Sequence, residues 1–301
     1  MRILLTGGTG FIGKNLIPYL NSKHISVDNL SREILKNDKK LDDFIKLKQS
    51  KMKQNYDVLI HLATELDNSS KKLTTTNVSL TKKLLKLCEK NKINKFIFAS
   101  SHLVYGKTNY LPIDEEHSKK PKMNYDKSKF IAEKICKSFS KDSNIQIIVL
   151  RISSVYGFGQ NEKYVIPRMF KNALSQKLIV HKYSNGFQLM DLIHVDDVSR
   201  GILKSCKSKK IGIYNLSSGN GITSFDLAKI ISKFVKGCKV SIENKKEETN
   251  HFIYDTTKIQ QEINFTAKIK PDSKILKPWF KKIIELEKLN DSRNLNNKRK
   301  H

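Results

Sequence analysis

The sequence predicts a doubly wound, parallel α/β sheet followed by a smaller α/β lobe, and three stretches carry that prediction. The first is the opening. Ile3, Leu4 and Leu5 form a short apolar run, glycines follow, and Phe11, Ile12, Leu16, Ile17 and Leu20 recur at helical spacing. The second is the return of the same alternation, with strand-like runs at 57–63 and 95–99 around a helical pattern over 77–90. The third is Tyr125-Asp126-Lys127-Ser128-Lys129 at the head of a further helix that continues through Phe130, Ile131 and Ile135.

The order strand, glycine turn, helix turns a bare glycine pattern into a dinucleotide-site prediction. Gly7 permits the sharp turn, Gly10 lets the backbone approach a pyrophosphate, and Gly13 lets helix and strand pack closely. The N–H groups opening the helix, at Phe11, Ile12 and Gly13, face the phosphate charge. The plain alternative is a tight turn with nothing bound.

The second strand falls near Ile25–Leu30, and its tip selects the nicotinamide cofactor. An acidic residue there binds ribose hydroxyls, whereas an arginine accommodates a 2′-phosphate. With Val27 and Leu30 facing inward the tip is Ser31-Arg32, which predicts NADP. A strand ending at Val27 would make Asp28 the ribose ligand and NAD the cofactor. Residues 33–55 read as a surface helix anchored by Leu41, Phe44, Ile45 and Leu47. The third strand ends at Leu62-Ala63, small enough to pass the adenine or ribose side of the cofactor. His61 between apolar neighbours reads as structural. The helix over 77–90 buries Val78, Leu80, Leu84, Leu85 and Leu87, and the fourth strand ends at Ser100-Ser101.

Tyr125 and Lys129 are four apart and share one helical face. A cation beside a phenol is expected to lower its pKa from about 10, which would make Tyr125 an acid/base near neutral pH. Ser101 can hydrogen-bond the substrate oxygen that gains or loses the proton. In isolation this spacing reads as a surface pair; joined to the glycine turn and the strand-end serine it reads as a reaction centre.

Composition excludes other classes. No apolar run of the 301 residues approaches the roughly 20 needed to cross a bilayer, and the opening lacks a charged n-region and cleavage site. Cys88, Cys136, Cys206 and Cys238 show no paired metal or disulfide spacing, so a cytoplasmic setting and no metal site are expected. The net charge of +28 is spread along the chain as lysine rather than gathered into an arginine-rich arm. It therefore reads as a solvated surface that draws in anionic ligands, not as a nucleic-acid interface. Asp196-Asp197 reads as a helix cap at a hinge, and Thr223 as another N-cap.

The chain resembles the extended short-chain dehydrogenase/reductase family, in its NAD(P)-dependent epimerase/dehydratase branch. The likeness is carried by Thr6–Gly13, Ile60–Ala63, Ser101 with Val104-Tyr105-Gly106, Tyr125 with Lys129, Leu150–Gly157, Ile193–Val198, Tyr214–Gly219 and Asp255–Lys258. It implies a Rossmann domain over 1–157 with a return segment near 191–205. A substrate-binding lobe would occupy 158–190 and 206–288; beyond the resemblance, the polar, basic composition of 289–301 reads as a flexible tail. The resemblance also implies Tyr125 as acid/base, Lys129 as a second hold on the nicotinamide ribose, Ser101 as the orienting hydroxyl, and a homodimer through helices near 77–90 and 125–140.

Two departures narrow the reaction. The 4,6-dehydratases of the family follow the catalytic hydroxyl residue with Asp-Glu, where this chain has His102 and Leu103, so a dehydratase is not expected. Met190 stands where many relatives carry a diphosphate-binding arginine, so either another cation, with Arg168 as the candidate, does that work or the substrate is not a standard diphosphosugar; Ser101 and His102 are expected to line the sugar. The expected reaction is reduction of a 4-keto(-6-deoxy) nucleotide sugar by NADPH, with Tyr125 as proton donor. A 4-epimerase with tightly held NAD is the alternative, and a non-catalytic NADP-binding regulator a further one.

Overall fold

The structure, a computed structural model, describes residues 1–52, 55–66, 72–175, 177–180, 186–242 and 250–298. The first half alternates β1 (Arg2–Thr6), α1 (Phe11–Asn21), β2 (Ser26–Leu30), α2 (Arg32–Lys36), α3 (Asp38–Met52), β3 (Val58–His61), α4 (Leu73–Lys90), β4 (Lys95–Ser101), α5 (Asn124–Asp142) and β5 (Gln146–Ile152). The second half follows with β6 (Ser154–Tyr156), α6 (Val165–Leu174), β7 (Lys177–Val180), β8 (Leu189–His194), α7 (Val195–Lys207), β9 (Gly212–Leu216), β10 (Gly221–Thr223), α8 (Ser224–Ser232), β11 (Lys239–Ile242), α9 (Thr257–Ile263) and α10 (Ser273–Lys298).

Six parallel strands form the main sheet in the order β2-β1-β3-β4-β5-β9. Strands β1 and β3 are buried along their whole length, which is why both read as unbroken apolar runs rather than alternating ones. One face packs against α1, α7 and α9 through Leu16, Leu20, Val198, Ile202, Ile259 and Phe265. The other packs against α3, α4 and α5 through Ile45, Leu84, Leu85, Cys88, Ala132 and Cys136. The strand order reverses between β1 and β3, so a crevice opens at their C-terminal ends, where doubly wound sheets bind ligands.

A second apolar cluster joins α6, β8, α8 and α10 through Phe170, Leu192, Leu227, Ile231, Leu276, Trp279 and Phe280. Around it lie a three-stranded sheet, β10-β8-β6, and the pair β11-β7. Strand β9 lies within the stretch that the resemblance gives to the substrate lobe, yet it pairs with β5 and closes the main sheet. Helix α10 continues to Lys298, so 289–298 extend a helix rather than form a loose tail; residues 299–301 lie outside the described residues. The packed start of α10 nucleates the helix, after which each added residue gains a backbone bond at small further cost.

Behind β4 and β5 sits a buried polar network. Arg151 (β5) is 2% exposed and donates to both carboxylate oxygens of Glu133 (α5), 2.8 Å at the shortest. Its remaining nitrogen donates to the Tyr105 hydroxyl at 3.0 Å and the Glu115 carbonyl at 2.9 Å. Tyr105 in turn donates to Asn215 Oδ1 (2.6 Å), whose backbone N–H donates to the Glu115 carboxylate (2.7 Å). Replacing Arg151 with leucine strands a buried carboxylate. Arg151→Leu should lower unfolding stability by about 3–5 kcal/mol, read as the shift of the denaturant midpoint at constant m-value.

Candidate active site

The sequence-identified groups converge on the C-terminal edge of the main sheet. At the end of β1, Gly7 holds φ +81°, and a Cβ there would lie 2.6 Å from the Ala63 nitrogen. A Cβ on Gly13 would lie 2.3 Å from the Gly7 carbonyl oxygen. The turn therefore packs backbone against backbone with no room for a side chain at either point. Gly10 caps α1 in extended conformation, and no side chain caps the helix, so the N–H groups of Phe11, Ile12 and Gly13 open onto the crevice. That uncapped first turn on a bare glycine cradle fits a cofactor pyrophosphate.

Asn29, which sequence reasoning passed over, locks this turn by accepting the Gly8 N–H at 2.9 Å. Only the register of β2 beside β1 reveals it. The same register pairs Thr6 with Leu30 and so places the strand tip at Ser31-Arg32. Ser31 caps α2 by accepting the Ile34 N–H, and the exposed Arg32 guanidinium stands 4.0 Å from Glu65 on the loop after β3. Asp28 is withdrawn from the tip. Its carboxylate accepts from Arg2 (2.9 Å), Tyr56 (2.9 Å) and Lys48 (2.7 Å). The register ending at Val27, with Asp28 free for a ribose, is thereby set aside.

A chain of hydrogen bonds runs from the cofactor loop to α5. Ala63 donates to Thr6 Oγ1 (3.2 Å), which bonds His61 Nδ1 (3.0 Å), and His61 Nε2 bonds Thr81 Oγ1 (3.2 Å). Burial drives the His61 pKa well down, so the ring is a neutral link, as its apolar neighbours suggested. Beside it Asn77 accepts from the Glu65 N–H (2.7 Å) and donates to Ser128 (3.0 Å), which donates to the Tyr125 carbonyl (2.7 Å). Leu62, Ala63 and Tyr125 are thus held in one framework.

Ser101 ends β4, and its side chain hydrogen-bonds that of Tyr125. Lys129, one turn along α5, donates to the Ala99 carbonyl at 2.7 Å, and its Nζ lies 5.8 Å from the centre of the Tyr125 ring. The expected lowering of the Tyr125 pKa is not what this arrangement produces. Burial pushes the phenol up, the Ser101 bond offsets only part, and the ammonium is directed at Ala99 rather than at the phenol oxygen. Burial also lowers Lys129 to about 8. Tyr125 therefore stands as a protonated phenol, poised to give a proton.

On the substrate side, His102 follows Ser101 and hydrogen-bonds Tyr254 of the second lobe. Tyr164 occupies the N-cap position of α6 in extended conformation, without a side-chain capping bond. Arg168 is exposed one turn further, on the same helical face. Met190 packs into the second core, while its neighbour Asp191 accepts from Ser218 (2.6 Å), Gly219 (3.1 Å) and Tyr254 (3.2 Å) and ties three segments together. The Asp196-Asp197 pair does not itself cap α7; His194 does, accepting the Asp196 N–H. Asp197 instead accepts the N–H groups of Lys268 and Ile269, both at 2.8 Å. Among the described residues there is no cluster able to hold a metal, and no helix is long and apolar enough to cross a membrane.

The family model described as the NAD dependent epimerase/dehydratase family matches residues 3–217. This chain belongs to that family. It is therefore an enzyme of the extended short-chain dehydrogenase/reductase type, from a group that acts on nucleotide sugars with NAD(P). A putative UDP-glucose 4-epimerase from Methanocaldococcus jannaschii is 30% identical over 96% of this chain and 99% of its own length. The solved UDP-glucose 4-epimerase of Thermotoga maritima with UDP-glucose superimposes with a TM-score of 0.79 at 23% identity, over 94% of this chain and 100% of that one. The Pseudomonas aeruginosa protein RMD complexed with NADPH gives 0.79 at 21% identity, over 93% of this chain and 98% of that one. Both likenesses confirm the doubly wound fold.

The buried lysine of this family member gives a testable pH dependence. Its folded pKa, about 8, lies below its ordinary 10.5, so between those values the unfolded chain binds the extra proton and stability rises with pH. The relief is complete above 10.5 and gone below about 8, where the charged ammonium is buried at full cost. In cofactor-free protein Lys129→Met should therefore melt higher than wild type at pH 7, with the gap closing towards pH 10. A gap independent of pH in parallel melting curves would refute this.

Proposed function

We propose that this enzyme reduces the 4-keto group of a nucleotide-activated, 6-deoxy-type sugar, using NADPH. The observation that carries the reading is the tip of β2. Ser31 and Arg32 stand there, and Asp28, the group that would repel a 2′-phosphate, is consumed by Arg2, Tyr56 and Lys48. NADPH bound against the Gly7–Gly13 turn supplies the hydride. Tyr125 delivers its proton to the carbonyl oxygen, and Ser101 holds that oxygen by hydrogen bonding. Lys129 sets the electrostatics beside Tyr125 and is the residue for the nicotinamide ribose, while Leu62 and Ala63 flank the adenosine side. Arg168 is the cation for the substrate diphosphate in place of Met190. His102 and Leu103 provide no carboxylate pair for eliminating water, which speaks against dehydration.

The second reading is a 4-epimerase with retained NAD, favoured by the likeness to the putative UDP-glucose 4-epimerase of Methanocaldococcus jannaschii. Ser101, Tyr125 and Lys129 would serve either reaction. The proposal also includes a homodimer along α4 and α5, whose outward cleft exposes Ile135 and Phe139 between Lys82, Lys86 and Asp142.

Cofactor titration separates the readings. Wild type should bind NADPH well ahead of NADH and purify without nicotinamide. Arg32→Ala removes a charged hydrogen bond worth about 1.5–3 kcal/mol, so it should weaken NADPH roughly ten- to hundredfold and leave NADH unchanged. Retained NAD in freshly purified protein, or equal loss of both cofactors, would overturn the reductase reading. Tyr125→Phe should cost about 10²–10⁴ in turnover of a 4-keto-6-deoxy nucleotide sugar with little change in NADPH binding.

A further inference from the structure

The two ring nitrogens of His102 face different surroundings. On one side Nδ1 lies 2.7 Å from the hydroxyl of Tyr254. Tyr254 is 2% exposed and is itself fixed by its N–H on Asp191 and by a backbone bridge to Ile113. The ring of Phe252 meets the imidazole edge-on, with centroids 5.7 Å apart. On the other side Nε2 lies 3.4 Å from the hydroxyl of Ser154, which is exposed. His102 directly follows Ser101, the partner of Tyr125. The nitrogen taken up by the second lobe is therefore Nδ1, and Nε2 is the one turned to the exposed Ser154 hydroxyl.

Hydrogen-bond satisfaction assigns the proton. If Nδ1–H donated to Tyr254, the buried phenol hydrogen would need a second acceptor, and none is present among the described residues. With Tyr254 donating to Nδ1, both groups are satisfied and Nε2 carries the hydrogen. Burial holds the imidazole pKa down at about 4, so the ring is a neutral donor at physiological pH.

We propose that Tyr254 is a positioning residue that locks His102 in its Nε2–H form, and that this N–H, with the Ser154 hydroxyl, binds an uncharged oxygen of the sugar beside the reacting carbon. The proposal rests on the reading of Ser101 and Tyr125 as the reacting groups. A neutral donor with a hydroxyl offers no cation for a carboxylate and no acceptor set for an ammonium. The substrate at that position is thus a hydroxyl- or keto-bearing hexose rather than a uronate or a free amino sugar.

The test is ¹⁵N NMR of histidine-labelled full-length protein with NADPH, the His102 signals being assigned by their loss in His102→Gln. Wild type should show a protonated Nε2 and unprotonated Nδ1, and Tyr254→Phe should release the tautomer. Titration with UDP-glucose and with dTDP-4-keto-6-deoxyglucose should shift Nε2. In turnover of the keto sugar, His102→Gln, which returns an N–H near the Nε2 position, should stay within about twofold of the wild-type KM. His102→Asn and Tyr254→Phe should raise KM about five- to tenfold and change kcat less. A protonated Nδ1 in wild type, an unchanged tautomer in Tyr254→Phe, no Nε2 shift with either sugar, or equal losses in His102→Gln and His102→Asn would each overturn the proposal. Failure of the reductase reading shows separately, as NAD retained by the purified protein and no net reduction of the keto sugar by wild type, and leaves the tautomer and sugar-titration results standing.

Discussion

The reacting edge of this enzyme depends on the buried pair Arg151–Glu133. Arg151 belongs to β5 and Glu133 to α5, and the Glu133 carboxylate also accepts the Ser100 hydroxyl of β4. One ion pair thus fixes the helix that carries Tyr125 and Lys129 against the strand that ends in Ser101. Burying two charges is costly, and a well-packed apolar pair would often serve stability as well. What the pair supplies is position. Its second branch, through Tyr105 and Asn215 to Glu115 and the Ile113 carbonyl, holds the 113–115 segment against β9. The bridge from Ile113 to Tyr254 then carries that fixation to the far side of the site.

Lys129 shows the opposite balance. It is buried beside Phe98, satisfied by one carbonyl, and held at a pKa that leaves its charge half-expressed near pH 8. A stability-driven sequence would place an apolar residue there. Keeping an ammonium buried costs stability at the point where the proposed proton transfer occurs. Loss of stability at a site that performs chemistry is the expected compromise.

The parts of this site legible in the sequence are those encoded by local spacing. The glycine turn, the strand-end Ser101, and Tyr125 four residues before Lys129 each sit within one supersecondary unit, so period and turn chemistry suffice to place them. The tip of β2 was half legible. Its residues could be named, but choosing between Ser31-Arg32 and Asp28 required the pairing of Leu4 with Asp28, which directs that carboxylate to Arg2 and Tyr56. Contacts across the chain were not legible. His102 and Tyr254 stand 152 residues apart, and nothing near either predicts the other. Strand β9 is legible as a motif but not as a sheet element, because its partner β5 lies some sixty residues upstream. The polar end of α10 looked like a tail because composition alone misses a helix propagated from a packed start at Leu276, Trp279 and Phe280.

Those long-range ties also explain how two lobes can share one reaction centre. Asp191, in β8, gathers the backbone of Ser218, Gly219 and Tyr254, and Tyr254 presents its hydroxyl to His102 across the cleft. Asp197, at the start of α7, holds the segment at 268–269 in the same way. Each carboxylate is almost fully buried; Asp191 is satisfied largely by main-chain N–H groups, and Asp197 by the Arg200 guanidinium on one oxygen and main-chain N–H groups on the other, so neither is available as a ligand for metal or sugar. Their work is to set where the second lobe stands over the end of β4. In the proposed function the chemistry falls to Ser101, Tyr125 and Lys129, which either a reductase or an epimerase could use. On the proposed reading the sugar that fits is decided by the uncharged face of His102 and Ser154, which the second lobe sets through Tyr254.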